Sequence, residues 1–337
     1  HAVPEIKQLQ GQVKVEAALG GTVQSPTVDF ESQGAVAVSD RMLASPFQAD
    51  LSISGRISGG QLDIQRAIAK SADGTAGVSG LVDMHSGRLS LALSGSDIEL
   101  SKLGGKVKGK GALTADISGT LSDWAASGRA EAYSLTAQDY TIPLAFATFQ
   151  ANPKSLVAGN VTAVSGASLA TAQGTLDWKT HAIKGEVSAK GLQLAEIAKW
   201  DVDGGIDLKG KFGGTAEHPT LSADVTGTTI VARRVKLDSA SAHLDANDAR
   251  LLLNQISVRT AGGEVSGTAD YVIDSKTASA DLKGSNILIG ELIPGAASGV
   301  TGGKASGSVA ATFTGGQIAG GKASFKIEDI FLNETLL

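Results

Sequence analysis

Apolar and polar residues alternate along most of the chain. Val13, Val15, Ala17 and Leu19 interleave with Gln12, Lys14 and Glu16. That is period two, the mark of a strand with one apolar face. Gly20-Gly21 stops the run. Residues 49–57 alternate again through Leu51, Ile53 and Ile57, then Leu62 and Ile64, then Leu89, Leu91 and Leu93 after a turn at Ser86-Gly87. Gly, Ser, Asn and Asp punctuate these runs every 8–12 residues or so, as in all-β chains. At about ten residues per strand and turn, the chain would hold on the order of 30 strands. Three stretches have a helical spacing: Ile98 to Leu103, Leu192 to Trp200 and Ile287 to Ile293. Each is too short to be a stable helix alone, so they read as short helical corners between repeats.

The pattern is periodic on a longer scale. Gly80-Leu81-Val82-Asp83-Met84 returns as Gly174-Thr175-Leu176-Asp177-Trp178 and as Gly267-Thr268-Ala269-Asp270-Tyr271, at intervals 174−80=94 and 267−174=93. Gly21-Thr22-Val23-Gln24-Ser25-Pro26 matches Gly214-Thr215-Ala216-Glu217-His218-Pro219. Between them lies Gly119-Thr120-Leu121-Ser122-Asp123-Trp124, with 119−21=98 and 214−119=95. These anchors divide the chain into a lead-in over 1–10, β repeats over 11–103, 104–200 and 201–295, and a partial fourth over 296–337. A unit of about 95 residues is longer than one coil of a solenoid, so each must hold several strands. Strands so numerous and apolar on one face cannot stay a flat open sheet. The apolar face must roll inward, gain a second layer, or be filled.

Composition narrows the choice. The chain is 42% hydrophobic but 4% aromatic, with 43 glycines in 337 residues. Aliphatics without aromatics suit a thin apolar layer better than a deep core. The net charge is −5, with no basic cluster to make a nucleic-acid face. With no cysteine, there is neither a disulfide framework nor a thiolate metal site. The longest apolar stretch, Thr141 to Phe149, is too short to span a bilayer. The pattern breaks off at Ile330 to Leu337, so the chain reads as part of something longer.

Candidate chemistry is sparse. Gly104-x-x-x-x-Gly109-Lys110, Gly205-x-x-x-x-Gly210-Lys211 and Gly316-x-x-x-x-Gly321-Lys322 start like phosphate loops. They lack the Ser or Thr after Lys and any following helix. No two of His1, His85, His181, His218 and His243 have metal-ligand spacing. Asp201-Val202-Asp203-Gly204-Gly205 reads as an acidic turn rather than a calcium loop. Asp83, Asp177 and Asp270 recur with the repeat, each able to cap the turn it opens. No nucleophile elbow is present, and nothing calls for a cofactor or a metal.

The ordered set of Gly-Thr-x-x-x-Pro units, Gly-x-x-Asp-apolar units and Leu-x-x-Leu-type corners (Leu100 to Leu103, Leu194 to Ile197, Ile289 to Leu292) resembles the AsmA/TamB superfamily of Gram-negative envelope proteins. Trp124 stands where that pattern has Pro. The resemblance implies an elongated, rolled antiparallel β-sheet, taco-like in section, with an apolar groove. It implies a periplasm-spanning, inner-membrane-anchored protein that carries phospholipid towards the outer membrane and supports outer-membrane biogenesis. Implied partners are phospholipid acyl chains and an outer-membrane assembly barrel protein.

Physically, such a groove replaces water around a lipid tail, worth on the order of 10 kcal/mol at about 0.8 kcal/mol per methylene. Parity nominates Val13, Val15, Leu51, Ile53, Leu89, Leu91, Leu93, Ile183, Val187, Ile206, Leu208, Leu251, Leu253, Ile256 and Val258 as lining. One bulge would reverse such an assignment. Alternation alone favours a closed two-layer core; the resemblance favours the groove. The rival of another class is a secreted or surface β-rich adhesin or scaffold with a closed core and no ligand. A β-solenoid carbohydrate enzyme would need a fixed carboxylate pair, and the repeated Asp residues single none out.

Overall fold

In the computed structural model, the described residues are 8–39, 47–103, 107–137, 140–197, 202–232, 235–289, 300–315, 317–332 and 335–336. They are almost entirely strand and form two compact units. One comprises residues 1–165 and 173–179, the other 166–172 and 180–337. Among the described residues the sheet does not close into a barrel.

The first unit holds β1 (Gln8–Thr22), β2 (Ser25–Ser39), β3 (Phe47–Ser58), β4 (Gln61–Ser71), β5 (Gly74–Asp83), β6 (Arg88–Glu99), β7 (Val107–Thr120), β8 (Trp124–Ala137), β9 (Tyr140–Ala151) and β10 (Ser155–Ser165). Each pairs antiparallel with the next in sequence. β11 (Ser168–Asp177) crosses the boundary between the units. The second unit holds β12 (Ile183–Gln193), β13 (Val202–Gly214), β14 (Pro219–Ala232), β15 (Val235–Ala246), β16 (Arg250–Thr260), β17 (Gly263–Val272), β18 (Thr277–Leu288), β19 (Val300–Thr314), β20 (Gln317–Leu332) and the two-residue β21 (Thr335–Leu336). These too pair antiparallel in chain order.

Two expectations need correction. Among the described residues the strands number 21 rather than about 30, because most run 10–16 residues. Their apolar alternation carries on through internal Gly and Ser, which parity counting treats as breaks. The helical corners are single four-residue turns rather than helices: a 3-10 turn at Leu100–Leu103 and an α turn at Leu194–Ile197. Ile98 and Glu99 belong to β6, Leu192 and Gln193 to β12, and Ile287 and Leu288 to β18. Ala198 to Trp200 and Gly290 to Ile293 lie outside the described residues, as does the 295/296 boundary.

The element order is regular. Six strands precede Leu100–Leu103, six more precede Leu194–Ile197, and six more precede Ile289. Backbone irregularities follow the same beat. Asp97 (φ 54°), Gly191 (63°) and Asn286 (55°) interrupt β6, β12 and β18, at intervals 191−97=94 and 286−191=95. Gly109 (130°), Gly204 (118°) and Gly303 (130°) interrupt β7, β13 and β19; Ser134 (51°), Thr229 (56°) and Asp329 (54°) interrupt β8, β14 and β20. Register shifts accompany the first two series. Bulges of this kind raise local twist and bend a sheet. Turns are tied in the same rhythm: Met84 N–H donates to Gly60 C=O, Trp178 to Lys154 and Ile273 to Ala249.

Candidate functional site

Directly opposed residues of an antiparallel pair project to the same face, so the registers decide which side chains share a side. In the first unit Val15 opposes Ser32, which opposes Ile53, and the row continues through Ala67, Val78, Leu93, Ala115 and Gly128 to Phe149. A parallel row runs Val13, Gly34, Leu51, Ala69, Ala76. Leu91 opposes Gly80 and Ile117; Leu89 opposes Val82 and Gly119, beside which Trp124 stands. All seven nominated residues of this unit therefore lie on one apolar face. The opposite face carries Lys14, Asp29, Arg56, Ser90, Asp116 and Arg129 in the same registers.

The second unit repeats the arrangement. Val187 opposes Gly210, and Leu208 opposes Ala189 and Val225. Beyond the bulge in β12, Leu192 opposes Ile206, which opposes Gly227. Ile183 shares the parity of Val187. Leu251 opposes Ala246 and Tyr271, and Leu253 opposes Leu244 and Ala269. Ile256 and Val258 have the other parity. Gln255, at φ 52°, absorbs the difference, so Ile256 opposes Gly267 and Val258 opposes Ala240 and Val265. All eight nominated residues again share a face.

Little covers either face. Among the described residues the buried apolar ones are Ala49, Leu89, Ala115, Ala189, Ala223, Ile230 and Ala261, and no large side chain is fully buried. Most of the nominated residues are half-buried, while Val13 is 43% exposed, Val15 62% and Leu251 38%. A two-layer core would bury its Leu and Ile almost completely. The hollows are open, and one is bordered by Ala67, Val78, Leu93 and Ala115 together with Ser79, Ser94, Thr114 and Asp116.

The polar groups form ladders. Asp83 accepts from the N–H groups of His85 and Ser86 at 2.9 Å, and Asp177 from Lys179 at 3.0 Å. These caps hold Asp83 below the usual carboxylate range. Asp270 breaks the expectation: it sits inside β17 and pairs with Arg250 at 2.6 Å instead of opening a turn. Asp203 is likewise in a strand, at the start of β13, and accepts from Gly204 N–H at 2.8 Å; Asp201 lies outside the described residues. Lys110, Lys211 and Lys322 are strand residues, while Gly104 and Gly316 lie outside the described residues.

Sequence spacing missed two histidine groupings. His181 Nδ1 meets Glu217 at 2.8 Å and His218 Nδ1 meets Asp248 at 2.7 Å, joining neighbouring turns. His243 Nδ1 meets Asp224 Oδ1 at 2.7 Å and its Nε2 meets Ser222 Oγ at 3.0 Å. The hydrogen bond to Asp224, with the charge of Asp245 nearby, raises His243 above the ordinary imidazole value. Order and distances resemble a nucleophilic triad. Yet β14 and β15 are interior strands whose N–H groups serve the ladder, so no oxyanion donors face Ser222. The signal that could have found it is Ser222-x-Asp224 on one strand face, but its partner depends on a cross-strand register. Among the described residues no group of His, Asp and Glu could hold a metal ion, and no helix is long and apolar enough to cross a membrane.

Compared with known proteins, the sequence matches no family model and no curated protein at a significant level.

Proposed function

We propose that this chain is a non-enzymatic lipid-conducting segment, whose apolar face shelters phospholipid acyl chains as they move between membranes. The observation that carries this reading is the uncovered apolar face. Fifteen aliphatic positions nominated by parity, seven in one unit and eight in the other, fall on one side of each unit's sheet; most are half-exposed, and among the described residues no second layer lies over them. Unfilled apolar surface on this scale is unfavourable in water, and an acyl chain fills it without directional bonds. Side chains of Leu, Ile and Val demand no particular step, so a tail can slide.

The finer architecture belongs to the same proposal. Six strands per set and bulges recurring every 94–100 residues support a repeat of about 95 residues. Bends recurring at fixed positions would roll the sheet into a groove. The resemblance to AsmA/TamB proteins supports placing the chain in the periplasm, held to the inner membrane by a segment outside this sequence. An outer-membrane assembly barrel is then the partner expected from that resemblance.

The test is a charge on the apolar face. Leu91→Asp and Ile206→Asp, each in a folded protein by circular dichroism, are expected to cut transfer of a fluorescent phospholipid between vesicles at least about tenfold, as burying an unpaired carboxylate beside a tail is costly. Transfer at the wild-type rate in both variants, or none in the wild type, overturns the reading.

A further inference from the structure

Alternate turns of a meander share a rim, so each unit's apolar face ends at two rims. One carries tight turns, among them 59–60, 84–87 and 121–123 in the first unit and 215–218, 247–249 and 273–276 in the second. The other carries the corners Leu100–Leu103 and Leu194–Ile197. At the corner rim, aliphatic side chains fold back over the face. Just past the bulges at Asp97, Thr229 and Asn286 stand Ile98, Ile230 and Ile287. Each lies over the glycine three positions earlier: a methyl built on Gly95, Gly227 or Gly284 would fall 2.7, 2.8 or 2.8 Å from the Cδ1 of that Ile. These glycines belong to the apolar face, opposite Leu113, Ile206 and Val265. Leu100 lies against Gly111 in the same way. Ile230 is only 6% exposed, and Thr260 and Ala261 at this rim are buried.

The tight-turn rim is finished differently. Met84, Trp178 and Ile273 hold equivalent places there, each donating its backbone N–H to the neighbouring turn. Met84 and Ile273 continue the parity of Val82 and Tyr271, both on the apolar face. The three are 52%, 37% and 37% exposed, and Leu121, in the turn after β7, is 73% exposed. A methyl built on Gly59 or Gly87 would meet nothing within 4 Å. β5 to β8, β17 and β18 are each paired on both sides, so their turns are interior to the sheet. Trp178 Nε1–H donates to Asn152 C=O at 2.9 Å while the indole stays partly exposed. An aromatic with one polar tether and an apolar body suits a boundary between water and hydrocarbon.

A phospholipid on the apolar face needs an exit for its charged headgroup, because burying an unpaired charge is costly. The corner rim meets it with Ile and Leu packed on the backbone. The turn rim offers exposed apolar side chains beside polar turn residues such as Ser86, Asn152 and Lys154. We propose, resting on the lipid-conducting reading, that the tight-turn rim is the polar seam of each unit. Phospholipid enters and leaves across it, with the headgroup and glycerol esters over Met84, Trp178 or Ile273 and the tails running inward along the strands. A tail reaches about 15 Å, half of a bilayer's hydrocarbon core, which is about five residues of strand. In the first unit that lays it over Leu89, Leu91 and Leu93 and stops it short of Ile98.

The chain has no cysteine, so the full chain can be labelled at single sites. Bimane is placed through Met84→Cys and Ile273→Cys at the turn rim, Lys102→Cys and Val231→Cys at the corner rim, and Leu91→Cys on the face. Each protein is loaded from phosphatidylcholine vesicles carrying a nitroxide on the headgroup or at the end of a tail, then separated from the vesicles. Fluorescence is read against nitroxide-free lipid. The tail nitroxide at site 91 reports whether lipid binds at all. The expected result with the headgroup nitroxide is loss of fluorescence at sites 84 and 273 and none at sites 102 and 231. Tail quenching at site 91 with headgroup quenching at the corner rim, at both rims alike or at neither overturns the seam and leaves the lipid reading standing. No quenching at any site in a folded protein overturns both.

Discussion

At the scale of the residue, the exposed histidines are the most sensitive probes of strand register. The hydrogen bond and charge of Asp248 raise His218 above the ordinary imidazole value, and Asp248 is lowered by His218 in return. The histidine half of this contact is fully present below the unfolded imidazole pKa and is lost as pH rises through the raised value. The carboxylate half is present above the unfolded carboxylate pKa and is lost as pH falls through the lowered one. The pair is therefore complete only in the acidic window between them. An NMR titration should find His218 and His243 raised, and Asp248→Asn should bring His218 back down; a His218 curve unmoved by that change would show that the contact does not form in solution. Backbone conformation is the other residue-level determinant. Gly80 has φ 130°, and a Cβ there would fall 2.1 Å from Ser90 O. Gly80→Ala should cost at least roughly 1–3 kcal/mol in urea unfolding, and an unchanged midpoint would show that this strand is not held as described. Sequence alone revealed the Asp83 and Asp177 caps. It misplaced Asp270, because the third copy keeps the glycine but carries its strand further before turning.

At the scale of the element, strand existence was legible and the bulges that reset strand parity were not. Alternation identifies a face only while the register holds. Leu251 and Leu253 differ in parity from Ile256 and Val258, yet all four point one way because Gln255 adopts a left-handed backbone. Nothing in the local composition marks Gln255, which is an unremarked polar residue in an apolar run. Its deletion should rotate one end of β16, placing Ile256 and Val258 on the polar face. The expected result is a loss of soluble protein or a large fall in stability. Full stability on deletion would contradict the bulge. The corners were misread for a related reason: Leu-x-x-Leu spacing is satisfied by one helical turn, after which the chain returns to strand.

At the scale of the whole molecule, the sequence anchors recur at intervals of 93 to 98 residues, and positive φ angles recur at Asp97, Gly191 and Asn286, at intervals of 94 and 95 residues. The apolar face was legible because aliphatic residues mark it. Whether it lines a groove or a core was not, since alternation is identical for both; half-exposed Leu and Ile now speak against a packed core. The most direct test is mass spectrometry of organic extracts from the purified chain, beside a soluble control protein purified in parallel from the same host. The account predicts phospholipid retained at a stoichiometric ratio or above. Lipid no higher than in the control, from a stably folded protein, would contradict it and would mean the aliphatic side chains serve only one another.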